Sequence, residues 1–160
     1  MKDRNLDNHN DWKTPDYVYN KLNEEFKFDF DPCPLFNDLE KWDGLRNDWN
    51  GQSIFVNPPY SRLLKEAFIA KSVQQSRQGK TVVMLLPVST STKVFHELIL
   101  PNADEIRFVS KRIKFEGVNT KGERVDSSVG MHDSMVIIFR PNRRHRDLRT
   151  PVTIGSQTFE

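Results

Sequence analysis

An α/β protein with a Rossmann-like mixed sheet, reduced in size, is predicted by three observations. From about residue 54 apolar strand-like runs alternate with segments of helical period. The run Thr81–Leu86 (TVVMLL) is nearly continuous in apolar residues, as a buried central strand requires. At 160 residues the chain suits one domain with a single substantial core.

The elements follow in order. Residues 1–11 are polar and charged and predict a loosely docked arm. Thr14-Pro15 opens a helix, with the cap before the proline and Val18, Leu22 and Phe26 on its apolar face. Phe28–Asp31 reads as a short strand ending in a turn at Pro32-Cys33-Pro34, and residues 35–50 as irregular chain rich in Asp, Asn and Gly. Ser53–Val56 is a β-rich run. The helix after it carries Leu63, Leu64, Ala67 and Phe68 at helical spacing, with Lys71 at the margin of that face. Pro87 ends the central strand, Lys93–Ile99 reads as helix and Glu105–Val109 as strand. Ile113–Phe115 and Ser134–Phe139 form the closing pair, separated by a polar loop over 116–133. The expected division is an arm (1–11), one domain (12–140) and a basic C-terminal tail (141–160).

Composition excludes several classes. No apolar run approaches the length of a membrane span, and the polar start Met1–Asn10 gives no expectation of a secretory leader. The single cysteine, Cys33, allows no internal disulfide and fits a reducing cytoplasm. His9, His96, His132, His145 and Cys33 lack metal-ligand spacing, so no metal is expected. Gly79-Lys80-Thr81 imitates the end of a phosphate loop, but Gln stands at 74 and a strand follows instead of preceding it. The net charge of +2 divides into −5 over residues 1–50 and +7 over 51–160. Basic residues gather in Arg107–Arg124 and Arg140–Arg149, which suits a polyanionic partner as well as a solvated surface.

The stretch that carries chemistry is Asn57-Pro58-Pro59-Tyr60, at the C-terminal end of a predicted strand, where open α/β sheets place their ligands. An exocyclic amino nitrogen is a poor nucleophile because its lone pair is delocalised into the ring. The Asn57 side-chain oxygen and the Pro58 carbonyl can accept both amino hydrogens and aim the lone pair at a methyl sulfonium. Pro58 and Pro59 hold φ near −65° and keep those acceptors still. Tyr60 offers an aromatic face to a base taken out of the stack, worth roughly 1–3 kcal/mol. The same residues also fit a strand ending in a Pro-Pro turn.

The ordered series Trp12-x-Thr14-Pro15, Phe30-Asp31-Pro32-Cys33, Asp43-Gly44-Leu45 with Trp49-x-Gly51, Asn57–Tyr60, and more loosely Arg112–Phe115 and Ser134, covers residues from about 12 to 140. In it the chain resembles the phage-type DNA adenine-N6 methyltransferases, the small Dam-like family. The resemblance implies a single S-adenosylmethionine-dependent domain that methylates a flipped adenine of DNA directly, with neither a covalent enzyme intermediate nor a metal. It implies that Asp31 sits near the methionine moiety with Pro32 and Cys33 beside it. Thr14 and Pro15 would hold the methionine carboxylate, and Asp43 would accept from the amino group of the cofactor's adenine. Lys111, Arg112, Lys114, Arg143, Arg144 and Arg146 would grip DNA, and Phe115 would form a second wall for the flipped base. A phage or prophage origin and work in the cytoplasm of a bacterial host follow.

Structural alternatives stand beside these roles: Asp31 and Asp43 as turn residues, Thr14 as a helix cap, Phe115 as core. The chain departs from the usual pattern by lacking a glycine-rich loop after the first strand. Only 11 residues separate Asp31 from Asp43, too few for the ordinary second strand, although Asp38 or Glu40 could serve the ribose. Two other functions remain open: methylation of a protein glutamine amide, which the same tetrapeptide suits, and a catalytically silent DNA-binding module.

Overall fold

The computed structural model describes residues 12–34, 43–59, 61–118, 124–126, 132–141 and 152–159. Its centre is a five-stranded mixed sheet. Strand β1 (Trp12–Lys13) and helix α1 (Asp16–Phe26) precede β2 (Ser53–Val56), α2 (Arg62–Arg77) and β3 (Thr81–Pro87). A π-helical turn (Phe95–Ile99) and a short α3 (Leu100–Asn102) lead to β4 (Glu105–Val109). Then come β5 (Glu116–Val118), β6 (Arg124–Asp126), β7 (Ser134–Phe139) and β8 (Thr153–Gln157). The sheet order is β2-β3-β7-β4-β8, with β2 parallel to β3, β7 antiparallel to both β3 and β4, and β8 parallel to β4.

Side-chain alternation divides the core into two layers. Ile54, Val56, Val82, Met84 and Leu86 face α2 and the turn at Phe95–Ile99, whereas Phe55, Val83 and Leu85 face Val18 and Leu22 of α1. Both β3 and β7 are buried on both faces, which explains why their sequences show no alternation. Burial of each large side chain contributes about 1.5–3 kcal/mol. The helical segment near residue 95 widens at Leu100, whose N–H reaches back to the Phe95 carbonyl; Pro101 follows and has no N–H to continue a regular ladder.

Several expectations are corrected. Pro15, not Thr14, is the residue flanking α1, and no side-chain cap is present. The first strand is a single parallel bridge, Phe30 to Ile54, supported by Asp29 N–H to Ser53 O at 2.9 Å. The buried face of α2 is Phe68, Ile69, Ser72, Val73, Gln75 and Ser76, while Leu63 is 81% exposed: the apolar face begins a turn and a half later than its spacing suggested. Ile113–Phe115 is not a strand. Instead β5, inside the expected loop, pairs with β1 on one side and with β6 on the other as a second, antiparallel sheet. The expected tail carries β8, whose register Glu105↔Thr153 to Val109↔Gln157 makes it the sheet's edge strand, so the domain extends past residue 140. The 1–11 arm lies outside the described residues.

Because β7 is antiparallel to both its neighbours, β2, β3 and β4 all run the same way. Asn57, Val88–Lys93 and Ser110–Lys114 therefore lie along one edge of the sheet, its carboxyl edge.

Candidate active site

Asn57 is the first residue after β2 and is half-buried; Pro58 is buried and Pro59 half-buried behind it. The Asn57 amide nitrogen donates to the Thr14 hydroxyl at 3.0 Å, which fixes the side chain's rotation and unites two motifs distant in sequence. The amide oxygen, on the other side of the group, is enclosed by protein. Thr14 sits between β1 and α1, where the Pro15 carbonyl takes the first helical N–H groups, those of Val18 and Tyr19 at 3.1 Å. Tyr60 lies outside the described residues.

A second group of predicted residues meets beside this one. The bridge of Phe30 to Ile54 sets Asp31 level with Phe55, two residues short of Asn57. Asp31 Oδ1 accepts the Cys33 N–H at 2.8 Å, a turn-forming bond. Its carboxyl is pushed up to about 6 by desolvation, against the pull of that N–H. Asp31 is nevertheless accessible at the surface. The residue reaches the surface while its carboxyl is poorly solvated, and desolvation is the larger cause of the shift. Tyr19 stands close enough that burial and the Asp31 charge both raise its phenol above the ordinary range.

The segment 43–50 closes on this turn. A Cβ at Gly44 would lie 2.1 Å from the Pro32 carbonyl oxygen, so only glycine lets the two turns touch. Asp43 is buried and accepts the Leu45 N–H at 2.9 Å, with Arg46 Nε 3.6 Å from its other oxygen. The turn role of Asp43 is thus present in the structure, and any ligand would share a carboxylate already engaged. Trp49 Nε1 donates to the Gly44 carbonyl at 2.8 Å, Lys71 Nζ to the Leu45 carbonyl at 3.1 Å, and Lys80 Nζ to the Trp49 carbonyl. Desolvation lowers the Lys71 ammonium below its usual range. These lysines brace the segment from α2 and from the start of β3.

Sequence reasoning missed this bracing, and it missed Asp29, whose carboxylate accepts the Gln52 and Ser53 N–H groups at 3.0 Å and ties the first strand to β2. Gly44 and Gly51 carried the signal: a Cβ at Gly51 would lie 2.4 Å from Asp29 Oδ1.

Lys111, Arg112 and Lys114 are exposed at the same edge, Arg112 with Nε 3.0 Å from Asp133 Oδ1. Phe115 is 8% exposed and packs with Val18, Leu22 and Ile113, in keeping with the core alternative given for it. Arg107, counted in the basic stretch, is spent inside the molecule on Glu25 and Glu105, each at 2.7 Å. Arg143, Arg144 and Arg146 lie outside the described residues. Among the described residues no group of His, Cys, Asp and Glu could hold a metal ion, and no helix is long and apolar enough to cross a membrane.

Comparison with known proteins agrees with this geometry. The family model described as DNA N-6-adenine-methyltransferase (Dam) matches residues 3–157. A DNA N-6-adenine-methyltransferase of Haemophilus phage HP1 (strain HP1c1) is 33% identical over 150 residues, covering 87% of this chain and 83% of the relative. Sheet, strand-end tetrapeptide and family match converge: this chain belongs to the Dam family of DNA N-6-adenine-methyltransferases.

Proposed function

We propose that the chain transfers a methyl group from S-adenosylmethionine to the amino nitrogen of a flipped adenine in DNA. Asn57 and the Pro58 carbonyl are the acceptors that orient the nucleophile, and Tyr60 is the stacking face. The observation that carries the reading is the placement of Asn57 at the carboxyl end of β2 with its amide fixed by Thr14 at 3.0 Å.

The residues fit the cofactor. Asp31 is a desolvated carboxylate, and a cationic group beside it would restore the charge balance that water supplies poorly. The contact of Gly44 with Pro32 brings the Asp43 turn against the Asp31–Cys33 turn and sets a braced turn where the glycine-rich loop is missing. When bound, S-adenosylmethionine supplies an electrophilic methyl on a sulfonium.

The chain's own part is positioning, which in favourable cases supplies on the order of 7–11 kcal/mol. Asn57 Oδ1 and Pro58 O accept the two amino hydrogens and turn the nitrogen lone pair toward the methyl. The surplus proton leaves to water, since neither acceptor is a base near neutral pH. Because Oδ1 is enclosed in this arrangement, the segment beyond β2 shifts as the base enters. Flipping costs a few kcal/mol, offset by stacking on Tyr60 and by phosphate contacts along the carboxyl edge. The reaction belongs in the cytoplasm of a bacterial host.

The test is incubation with labelled S-adenosylmethionine and unmethylated DNA, followed by digestion. Label in N6-methyl-2′-deoxyadenosine is expected. Label in glutamine of added protein, or none in DNA, contradicts the reading.

A further inference from the structure

A cleft of about 440 Å³ opens at the carboxyl edge between the first turns of α2 and the segment following β3. Its floor is apolar, formed by Ile69, Leu86 and Val94, and its rim carries Arg62, Lys65 and Lys93 with the hydroxyls of Ser89 and Ser91, against the single carboxylate of Glu66. The register Val56↔Met84 sets Asn57 level with Leu85, so the floor begins one residue beyond the catalytic level on the adjacent strand. Arg62 follows Asn57 by only five residues.

The rim is shaped in advance. The Thr92 hydroxyl donates to the Ser89 carbonyl at 3.0 Å and accepts the Phe95 N–H, the Val88 N–H is held by the Asp133 carbonyl at 2.8 Å, and His96 Nε2 lies 2.7 Å from the Thr90 carbonyl. Lys65 makes no ion pair among the described residues. Among the described residues Arg62 and Lys93 pair with Glu66 and Glu97 of their own helical segments, at 3.2 and 3.8 Å, and their side chains are 83% and 79% exposed. Such exposed pairs are weak and exchange readily for a stronger anion.

We propose that this cleft holds the sugar-phosphate backbone next to the flipped adenine, with a phosphodiester against Lys65, Lys93 and the serine hydroxyls and deoxyribose carbons over the apolar floor. The assignment rests on the DNA substrate proposed above. Base extrusion rotates one nucleotide about its backbone, so the adjoining phosphate must be held for the base to stay out. A cationic, hydroxyl-lined cleft one strand from Asn57 meets that need. Flexible lysines there act as point charges that do not read base identity.

The experiment compares the salt dependence of duplex DNA binding for the wild type, K65Q/K93Q and, as a control at the far end of the same helix, R77Q. If both lysines meet phosphate, the double variant lowers the magnitude of the slope of log affinity against log salt by about 1.8. It also weakens site-containing and scrambled duplexes by the same factor, while the slope of R77Q and the cofactor affinity of all three proteins stay at wild-type values. Thermal melting confirms that each variant is folded. A wild-type slope for the double variant overturns the proposal, as does an equal loss in R77Q. A loss confined to one DNA sequence also overturns it, assigning base reading to the cleft instead. The binding measurement is independent of methyl transfer: a protein that binds DNA through this cleft without methylating it sinks the enzymatic reading and leaves the cleft assignment standing.

Discussion

The hydroxyl of Thr14 accepts a hydrogen bond from the amide of Asn57 at 3.0 Å, joining a residue before α1 to the residue after β2 across 43 positions of sequence. The hydroxyl retains its own proton, which the role expected of Thr14 at the methionine carboxylate would use. Thr14→Val keeps the shape and removes the acceptor. Loss of a partly buried bond costs about 1–3 kcal/mol. Turnover should fall roughly 10- to 100-fold with DNA affinity unchanged, and Thr14→Ser should restore most of it. Steady-state kinetics decide it; a Thr14→Val enzyme with full turnover would leave the bond a packing detail.

If Asp31 meets the cationic cofactor as proposed, affinity for it should depend on pH. The Asp31 carboxyl titrates up to about 6, so binding should be level above about pH 7 and weaken as the pH falls through 6. Asp31→Asn should bind weakly at every pH with the slope gone. Stability runs the opposite way. A folded-state value above the ordinary 3.8 means the folded protein binds the proton more tightly, and its stability falls as pH rises from 3.8 to about 6. Asp31→Asn should therefore melt higher than the wild type at pH 7 and no higher at pH 3.5. Calorimetric titration and thermal melting at both pH values provide the check; a pH-independent cofactor affinity in the wild type would return Asp31 to a turn role.

Gly44→Ala tests the contact between the 43–50 segment and the turn at Pro32. The added methyl meets the Pro32 carbonyl at 2.1 Å, and backbone must move to admit it. Overpacking of this kind costs about 1–3 kcal/mol, and the displaced turn should also weaken cofactor binding. At Gly79, where φ is +100° and no atom lies within 4 Å of where an added methyl would sit, Ala should lower stability alone. Equal cofactor affinity in the two variants would separate the 43–50 segment from the cofactor.

Arg107 separates a structural arginine from DNA-binding ones. It spans Glu25 of α1 and Glu105 of β4 at 2.7 Å, and Glu25 is lowered below the usual carboxylate range chiefly by the hydrogen bond from Arg107. Arg107→Gln should cost about 1–2 kcal/mol of stability, discounted for the half-exposed Glu25, and leave the salt slope of DNA binding unchanged. Because Glu25 titrates low, the lost contribution should be largest near neutral pH and vanish as acid protonates the carboxylate. A reduced salt slope in this variant would place Arg107 on DNA.

What the sequence made legible was what local pattern encodes. Thr81–Leu86 could only be a strand buried on both faces, and Asn57-Pro58-Pro59-Tyr60 names its chemistry by residue type. Less legible was whatever depends on contacts distant in sequence. Nothing local to Thr153–Gln157 announces an edge strand, because its pairing with β4 is set by tertiary position. The hairpin at Glu116–Val118 and Arg124–Asp126 was hidden in a polar, glycine-containing stretch whose partner strand is only Trp12–Lys13. Arg107 misled because an arginine in a basic stretch looks available until its neighbours are known. Asp29, Lys71 and Lys80 carry no motif at all, and only the close approaches at Gly44 and Gly51 hinted at the brace they form.

The central claim is that Asn57 orients the adenine amino nitrogen. Its most direct measurement is single-turnover transfer of labelled methyl to unmethylated DNA by Asn57→Ala, with S-adenosylmethionine binding and thermal melting followed on the same preparation. Loss of one preorganised acceptor in such sites costs on the order of 100- to 1000-fold. The expected result is transfer lowered by at least that factor while cofactor affinity and melting stay close to wild type. Transfer at the wild-type rate would contradict the claim.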